Sequence, residues 1–220
     1  MASSQLVELQ AEQDGQAVSD TAVARAITVE NRQLAGSGLS DEQQEAVRHV
    51  TGPQQIVAVI GFAGAGKSTM LAAARRAFEL QGYRVHGAAL AGKAAAGLSA
   101  SSRIAARTLD EAGMIGSKQL TGFVREVQAR GAKLVLVGDH EQLQAIGAGS
   151  PFRATTERIG ATELTDIHRQ TADWQRLASR AFATHRTAGG LPLIPNVALS
   201  CSQKVGRLHG INWCGIILPI

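Results

Sequence analysis

The chain has 220 residues, 45% hydrophobic and 18% charged, a balance that suits one generous soluble domain or two small ones. Its formal charge of +4 and pI near 9.5 favour contact with phosphate without requiring it. Cys201 and Cys214 are the only cysteines, with no CxxC pair and no histidine at zinc-ligand spacing, so they read as free thiols and a zinc module is excluded. The first residues lack a basic start followed by an apolar core, and no apolar run approaches the roughly 18 residues needed to cross a bilayer. A cytoplasmic protein is expected.

Residues 1–38 are polar with scattered Ala, Val and Leu, and predict short helices ending in a flexible "AGSG" linker. From Leu39 the pattern tightens. "LSDEQQEAVRHV" predicts a helix with Ser40 as N-cap, acidic residues in its first turn and Ala46, Val47 and Val50 on one face. "IVAVI", Ile56 to Ile60, is a continuous β-branched run expected of a strand buried on both faces of a parallel sheet. A helix from Lys67 to about Gln81, a strand within Arg84 to Leu90, an amphipathic helix over Lys118 to Arg130 and a second buried strand at "KLVLVG", Lys133 to Gly138, follow in order. "ATELTDI" suggests one more short strand. Strands alternating with helices predict a layered α/β domain over residues 39–187. Residues 188–220 break the rhythm as an irregular tail holding Pro192, Pro195, Pro219 and both cysteines, and its "INWCGIILPI" ending reads as a small strand or as foreign sequence.

"GFAGAGKST", Gly61 to Thr69, sits between the buried strand and a helix. In that context the spacing of Gly61, Gly64, Ala65, Gly66, Lys67, Ser68 and Thr69 describes a phosphate cradle. Glycines let successive backbone N–H groups turn toward phosphate oxygens, and the helix N-terminus adds its positive dipole end. Lys67 would reach the β and γ phosphates and Ser68 would offer its hydroxyl to magnesium. A glycine-rich turn without a ligand is the plainer alternative, and it leaves the lysine and hydroxyl unexplained.

Further along, "GDHEQLQAIGAG" follows the strand "KLVLV" and places Asp139 and Gln142 at the carboxyl end of the sheet, where ligands of open α/β folds bind. The Gln142 amide can hydrogen-bond both a γ-phosphate and an attacking water; a polar loop with a satisfied glutamine is the alternative. Arg169, in "IHRQ", could stabilise transition-state charge or could form a surface ion pair.

Taken in order, "LSDEQQEAV", "GFAGAGKST", "AGKAAAGL", "RTL", "DEAGM", "GDHEQLQAIGAG", "IHRQ" and "TADWQR" resemble the helicase portion of TraA-type conjugative relaxases, within the RecD-like superfamily 1B helicases. The resemblance covers Leu39 to about Thr187. It implies one RecA-like P-loop NTPase lobe of α/β class, using ATP and magnesium and partnered by single-stranded DNA and the conjugative transfer machinery. By position, it implies that Gln43 reads the adenine and that Gly61 to Ser68 hold the phosphates. Asp110 and Glu111 become the magnesium-linked pair, with Glu111 as base; Gln142 senses the γ-phosphate and Arg169 contacts it. Lys93 and Thr108 face single-stranded DNA. The plain alternatives are an exposed helix glutamine, a solvated charge and a cap residue.

Two departures stand out. Only 42 residues separate Lys67 from Asp110, and they must already hold a helix, a strand and the helix-like "GKAAAGLSA". What remains, "SSRIAARTL", lacks the run of four or more apolar residues expected of a buried strand delivering an acidic pair. The chain therefore reads as internally shortened between Leu109 and Asp110, with ladder edges left open and efficient hydrolysis in doubt, since a 1 Å displacement at such a site costs about a hundredfold in rate. Nothing after Arg169 supplies the motifs of a second lobe. The six histidines, at 49, 86, 140, 168, 185 and 209, are scattered, and Tyr83, the only tyrosine, lies beside a probable strand. DNA nicking is not expected. Beside a helicase ATPase, a non-catalytic module that binds nucleotide, DNA or a partner stays open, and a small-molecule P-loop kinase ranks last.

Overall fold

The computed structural model describes residues 16–34, 38–89, 92–108, 117–139, 151–166 and 215–219. Helix α1, Asp20–Gln33, begins where the Ser19 hydroxyl accepts from the Ala22 N–H, with Asp20 in its first turn and Arg32 in its last. Helix α2, Asp41–Val50, starts at a full capping box: the Ser40 hydroxyl accepts from Gln43 N, and Gln43 Oε1 accepts from Ser40 N. Ala46, Val47 and Val50 are buried, as the periodicity predicts.

Strand β1, Ile56–Gly61, is buried throughout and runs into helix α3, Lys67–Leu80. There follow β2 (Val85–Ala89), α4 (Gly92–Ser102), β3 (Ala105–Thr108), α5 (Ser117–Ala129) and β4 (Leu134–Gly138). Last come α6 (Pro151–Ile159), β5 (Thr162–Leu164) and β6 (Gly215–Pro219). Pro151 suits the first position of α6, where a missing N–H costs nothing, and Gly160, at φ 75°, ends that helix.

The strands form one six-stranded sheet in the order β3-β2-β6-β4-β1-β5. β1 pairs parallel with β4, Ile60 opposite Gly138, and parallel with β5, Gly61 opposite Leu164. β2 and β3 are also parallel. Alternate residues serve opposite faces. Val57, Val59, Val135 and Val137 join Val23 and Ile27 of α1, Val47 of α2, Met70 and Phe78 of α3 and Leu98 of α4 in one core. Ile56, Ala58, Ile60, Leu134 and Leu136 join Val124 and Val127 of α5 and Ile159 of α6 in the other. The result is a three-layer α/β/α domain with mostly parallel strands. Each fully buried side chain of the size of Phe78 or Leu134 contributes roughly 1.5–3 kcal/mol to holding the layers together.

Two elements differ from the sequence expectation. "IAARTL" does form a strand, Ala105–Thr108, but an edge strand whose residues are exposed or half-exposed. It is held locally: Arg103 turns the chain with φ 58°, Ile104 is buried beside it, and Ser99 Oγ accepts from Ala106 N at 3.1 Å. An edge strand needs no apolar run, so the composition test misses it. The centre of the sheet is not left open either. Gly215–Pro219 lies there, antiparallel to both β2 and β4, so part of the tail belongs to the sheet of the domain.

Candidate nucleotide site

All five parallel strands end on one edge of the sheet, and the sequence-predicted site residues that the structure describes gather along it. The cradle is the turn from β1 into α3. Gly64 and Gly66 have φ of 89° and 75°, a left-handed backbone that glycine adopts without strain. At Gly61 the constraint is space: a Cβ there would stand 3.0 Å from Leu164 Cβ and 3.3 Å from Lys67 Cγ. Ala65 is buried and its N–H donates to Phe62 O at 3.1 Å, while Gly66 O accepts from Thr69 N and Met70 N and opens the helix. Lys67, Ser68 and Thr69 are half-exposed at the first turn. Lys67 Nζ curls over the turn and donates to Gly61 O at 2.6 Å and Phe62 O at 2.9 Å, so its ammonium already lies over the turn that the glycines shape. A helix N-terminus, glycines in the required conformation and a cation folded over them fit a bound polyphosphate.

Gln43 is not an exposed helix glutamine. It is 4% exposed, and its Nε2 points at Ala65 O and Gly66 O, both at 3.4 Å, while its Oε1 completes the cap of α2. One side chain thus ties the helix before β1 to the cradle after it. Asp139, directly after β4, is buried beside the end of β1. Glu42 is a residue that sequence reasoning treated only as first-turn charge. Its carboxylate accepts from Thr165 N at 2.8 Å, Thr165 Oγ1 at 2.6 Å and Asp166 N at 3.1 Å, fixing the chain just after β5 and just before "IHRQ".

Lys93 and Thr108 are both exposed, and Thr108 lies near the residue before Lys93: a Cβ on Gly92 would meet Thr108 Oγ1 at 3.7 Å. Asp110, Glu111, Gln142 and Arg169 lie outside the described residues. Tyr83 packs edge-on against Phe78, ring centroids 6.1 Å apart, in line with a packing role. Behind the site, Lys133 is buried and donates to Gly52 O, and burial lowers its pKa to about 8. His49 is also held below its ordinary range, first by burial and then by the charge of Lys133. Among the described residues no three His, Cys, Asp or Glu gather as a metal site, and no helix is long and apolar enough to cross a membrane.

With the cradle in place, the comparison with known sequences is direct. The profile of the AAA domain family matches residues 38–110 and 109–212. The chain belongs to the AAA domain family. The two matched segments of this AAA domain meet at Leu109 and Asp110, the point at which the sequence reads as shortened.

Relatives share the same stretch. The conjugal transfer protein TraA of Rhizobium radiobacter is 48% identical over 192 residues, covering 77% of this chain and 17% of that protein. The probable conjugal transfer protein TraA of Sinorhizobium fredii is 51% identical over 169 residues, covering 67% of this chain and 15% of the relative. The ATP-dependent RecD2 DNA helicase of Deinococcus radiodurans is 29% identical over 164 residues, covering 63% and 23%. The AAA domain thus spans about a sixth of the TraA proteins it matches. These figures also measure a deficit. Since 77% of 220 residues is about 169, about 23 of the 192 positions aligned with the R. radiobacter protein have no counterpart here. The same comparison gives about 22 for the S. fredii protein and about 25 for the helicase.

Proposed function

We propose that this chain is an ATP- and magnesium-binding domain of a conjugative relaxase/helicase, acting on single-stranded DNA in plasmid transfer. The observation that carries the reading is the cradle itself: Gly64 and Gly66 in left-handed conformation, Lys67 folded over the turn, and Gln43 seated against it. The names of the relatives, conjugal transfer protein and ATP-dependent DNA helicase, supply the biological setting. Bound ATP would contribute a phosphate anhydride whose charge Lys67 and the N-terminus of α3 hold, with Ser68 beside the magnesium. Gln43 would meet the adenine. Asp110 would join Ser68 at the magnesium, Glu111 would take a proton from water, and Gln142 and Arg169 would face the γ-phosphate. Lys93 and Thr108, both exposed at that edge, suit the phosphodiester strand.

A second reading, nucleotide binding without efficient hydrolysis, is favoured by the position of β3. It is the outermost strand, four strand spacings from β1, or roughly 19 Å. Thr108 ends β3 two residues before Asp110, and two extended residues reach only about 7 Å. Binding of a fluorescent ATP analogue with magnesium, followed by phosphate release with and without single-stranded DNA, tests both. Binding lost in Lys67→Ala supports the domain reading, and unchanged affinity sinks it; DNA-stimulated release separates motor from binding module.

A further inference from the structure

The middle of the sheet carries its own anomaly. β2 and β4 run parallel to β1, yet the strand between them, β6, is antiparallel to both and comes from the far end of the chain. In a sheet built from strand-helix-strand units, an antiparallel strand ordinarily sits at an edge. Only eight residues, 109–116, join β3 to α5. The family match breaks within that link, at Leu109 and Asp110, and the stretch aligned with the R. radiobacter relative contains about 23 positions with no counterpart in this chain. A five-residue strand with its connections takes up a length of that order.

We propose that the gap between β2 and β4 is the seat of a strand lost between Leu109 and Asp110, and that the chain's own C-terminal segment, Gly215–Pro219, fills it as a replacement. Left empty, the gap would present the facing N–H and C=O groups of Val85 to Ala89 and of β4 without partners in the core of the molecule. The replacement fits on several counts. Its length, five residues, equals that of β2 and of β4. Its sequence, "GIILP", is an unbroken apolar run of the kind a strand covered on both faces requires. Pro219, which has no N–H to give, falls at the strand's last position, opposite Val85 on the β2 side and beyond the register with β4, which ends at Ile217, so no interior ladder position is occupied by proline.

Direction follows from connectivity. β5 ends at the edge that carries the cradle and β6 begins at that same edge, which makes the two antiparallel; strands related in this way need no crossover, whereas a parallel strand does. Gly215 opens β6 at that edge, opposite Ala89 and Val137, and the strand "GIILP" includes no carboxylate. The replacement therefore restores the ladder without restoring an acidic pair beside the cradle. The proposal concerns how the fold is completed and holds or fails independently of nucleotide binding.

Cross-strand disulfides in the full chain test it, in a Cys201→Ser, Cys214→Ser background. The register places Ala88 opposite Ile216 on the β2 side and Leu136 opposite Ile216 on the β4 side. Facing residues in antiparallel pairs lie about 4.5–5.5 Å apart between Cα atoms, within disulfide range. Ala88→Cys with Ile216→Cys, and separately Leu136→Cys with Ile216→Cys, are oxidised and read by thiol blocking and non-reducing electrophoresis. Ala88→Cys with Leu218→Cys, two residues out of register, is the control. The expected result is an intramolecular disulfide in both in-register pairs, formed at least about tenfold more completely than in the control. Failure of both in-register pairs to link, or links formed chiefly between chains, would overturn the proposal; the latter would mean that a second copy supplies the strand.

Discussion

Lys133 is a charged side chain that sits in the core, and its environment has a consequence that can be measured. With burial holding its pKa at about 8 against an ordinary 10.5, the folded chain gives up this proton before the unfolded chain does. Between those two values the unfolded state binds more protons, so stability rises with pH. His49 acts in the same sense lower down: burial and the neighbouring Lys133 lower its pKa, so acidification below about 6.5 favours the unfolded chain, which takes up the proton more readily. Melting temperature is expected to climb from pH 7 to pH 10, and Lys133→Met should flatten that climb while leaving the acid side to His49. An identical climb in the variant would contradict the assignment.

At the scale of elements, α2 shows how capping and the site share residues. Ser40→Ala removes one half of the capping box, a loss of about 1 kcal/mol, or roughly 2–4 °C in melting temperature for a chain of this size. Because Gln43 is the other half and also holds Ala65 O and Gly66 O, the same change is expected to weaken nucleotide binding measurably. A stability loss with unaltered affinity would separate the two roles. β6 allows a sharper test. Proline in a central strand removes a ladder hydrogen bond, so Ile217→Pro, between Gly87 and Val135, should lower the melting temperature by at least about 6 °C. A shift below 2 °C would show that the strand contributes little to the fold.

Which elements could be read beforehand follows from the same physics. The runs at Ile56 to Ile60 and Leu134 to Gly138 are strands buried throughout, and such strands announce themselves by unbroken apolar sequence. Helix α2 announced itself by its cap and period. β3 did not, since an edge strand resting on Ile104 and Ser99 carries no run, and the place of β6 depends on partners nearly 80 residues or more away in the chain. Within the candidate site, the glycine spacing made the turn itself legible, since Gly64 and Gly66 adopt the left-handed backbone that such a turn needs. Glu42 was not: an acidic residue in a first turn is ordinary, and only the fold brings Thr165 to it.

For the whole molecule, one edge of one sheet collects the cradle, Gln43, Asp139, Lys93 and Thr108, while the strand in the middle arrives from the other end of the chain. On the function proposed above, such a molecule would hold nucleotide on its intact half even where the acidic pair is tethered to the outermost strand. Length sets the other boundary: the chain spans about a sixth of the TraA proteins it matches.

The most direct measurement is magnesium-dependent binding of a fluorescent ATP analogue to the purified chain, compared with its Lys67→Ala variant at matched folding. Saturable binding in the parent and at least tenfold weaker binding in the variant is the predicted result, since Lys67 is the cation that closes the cradle. Equal affinity in the two proteins, or no saturable binding in the parent, would contradict the central claim that the turn from β1 into α3 is a nucleotide site.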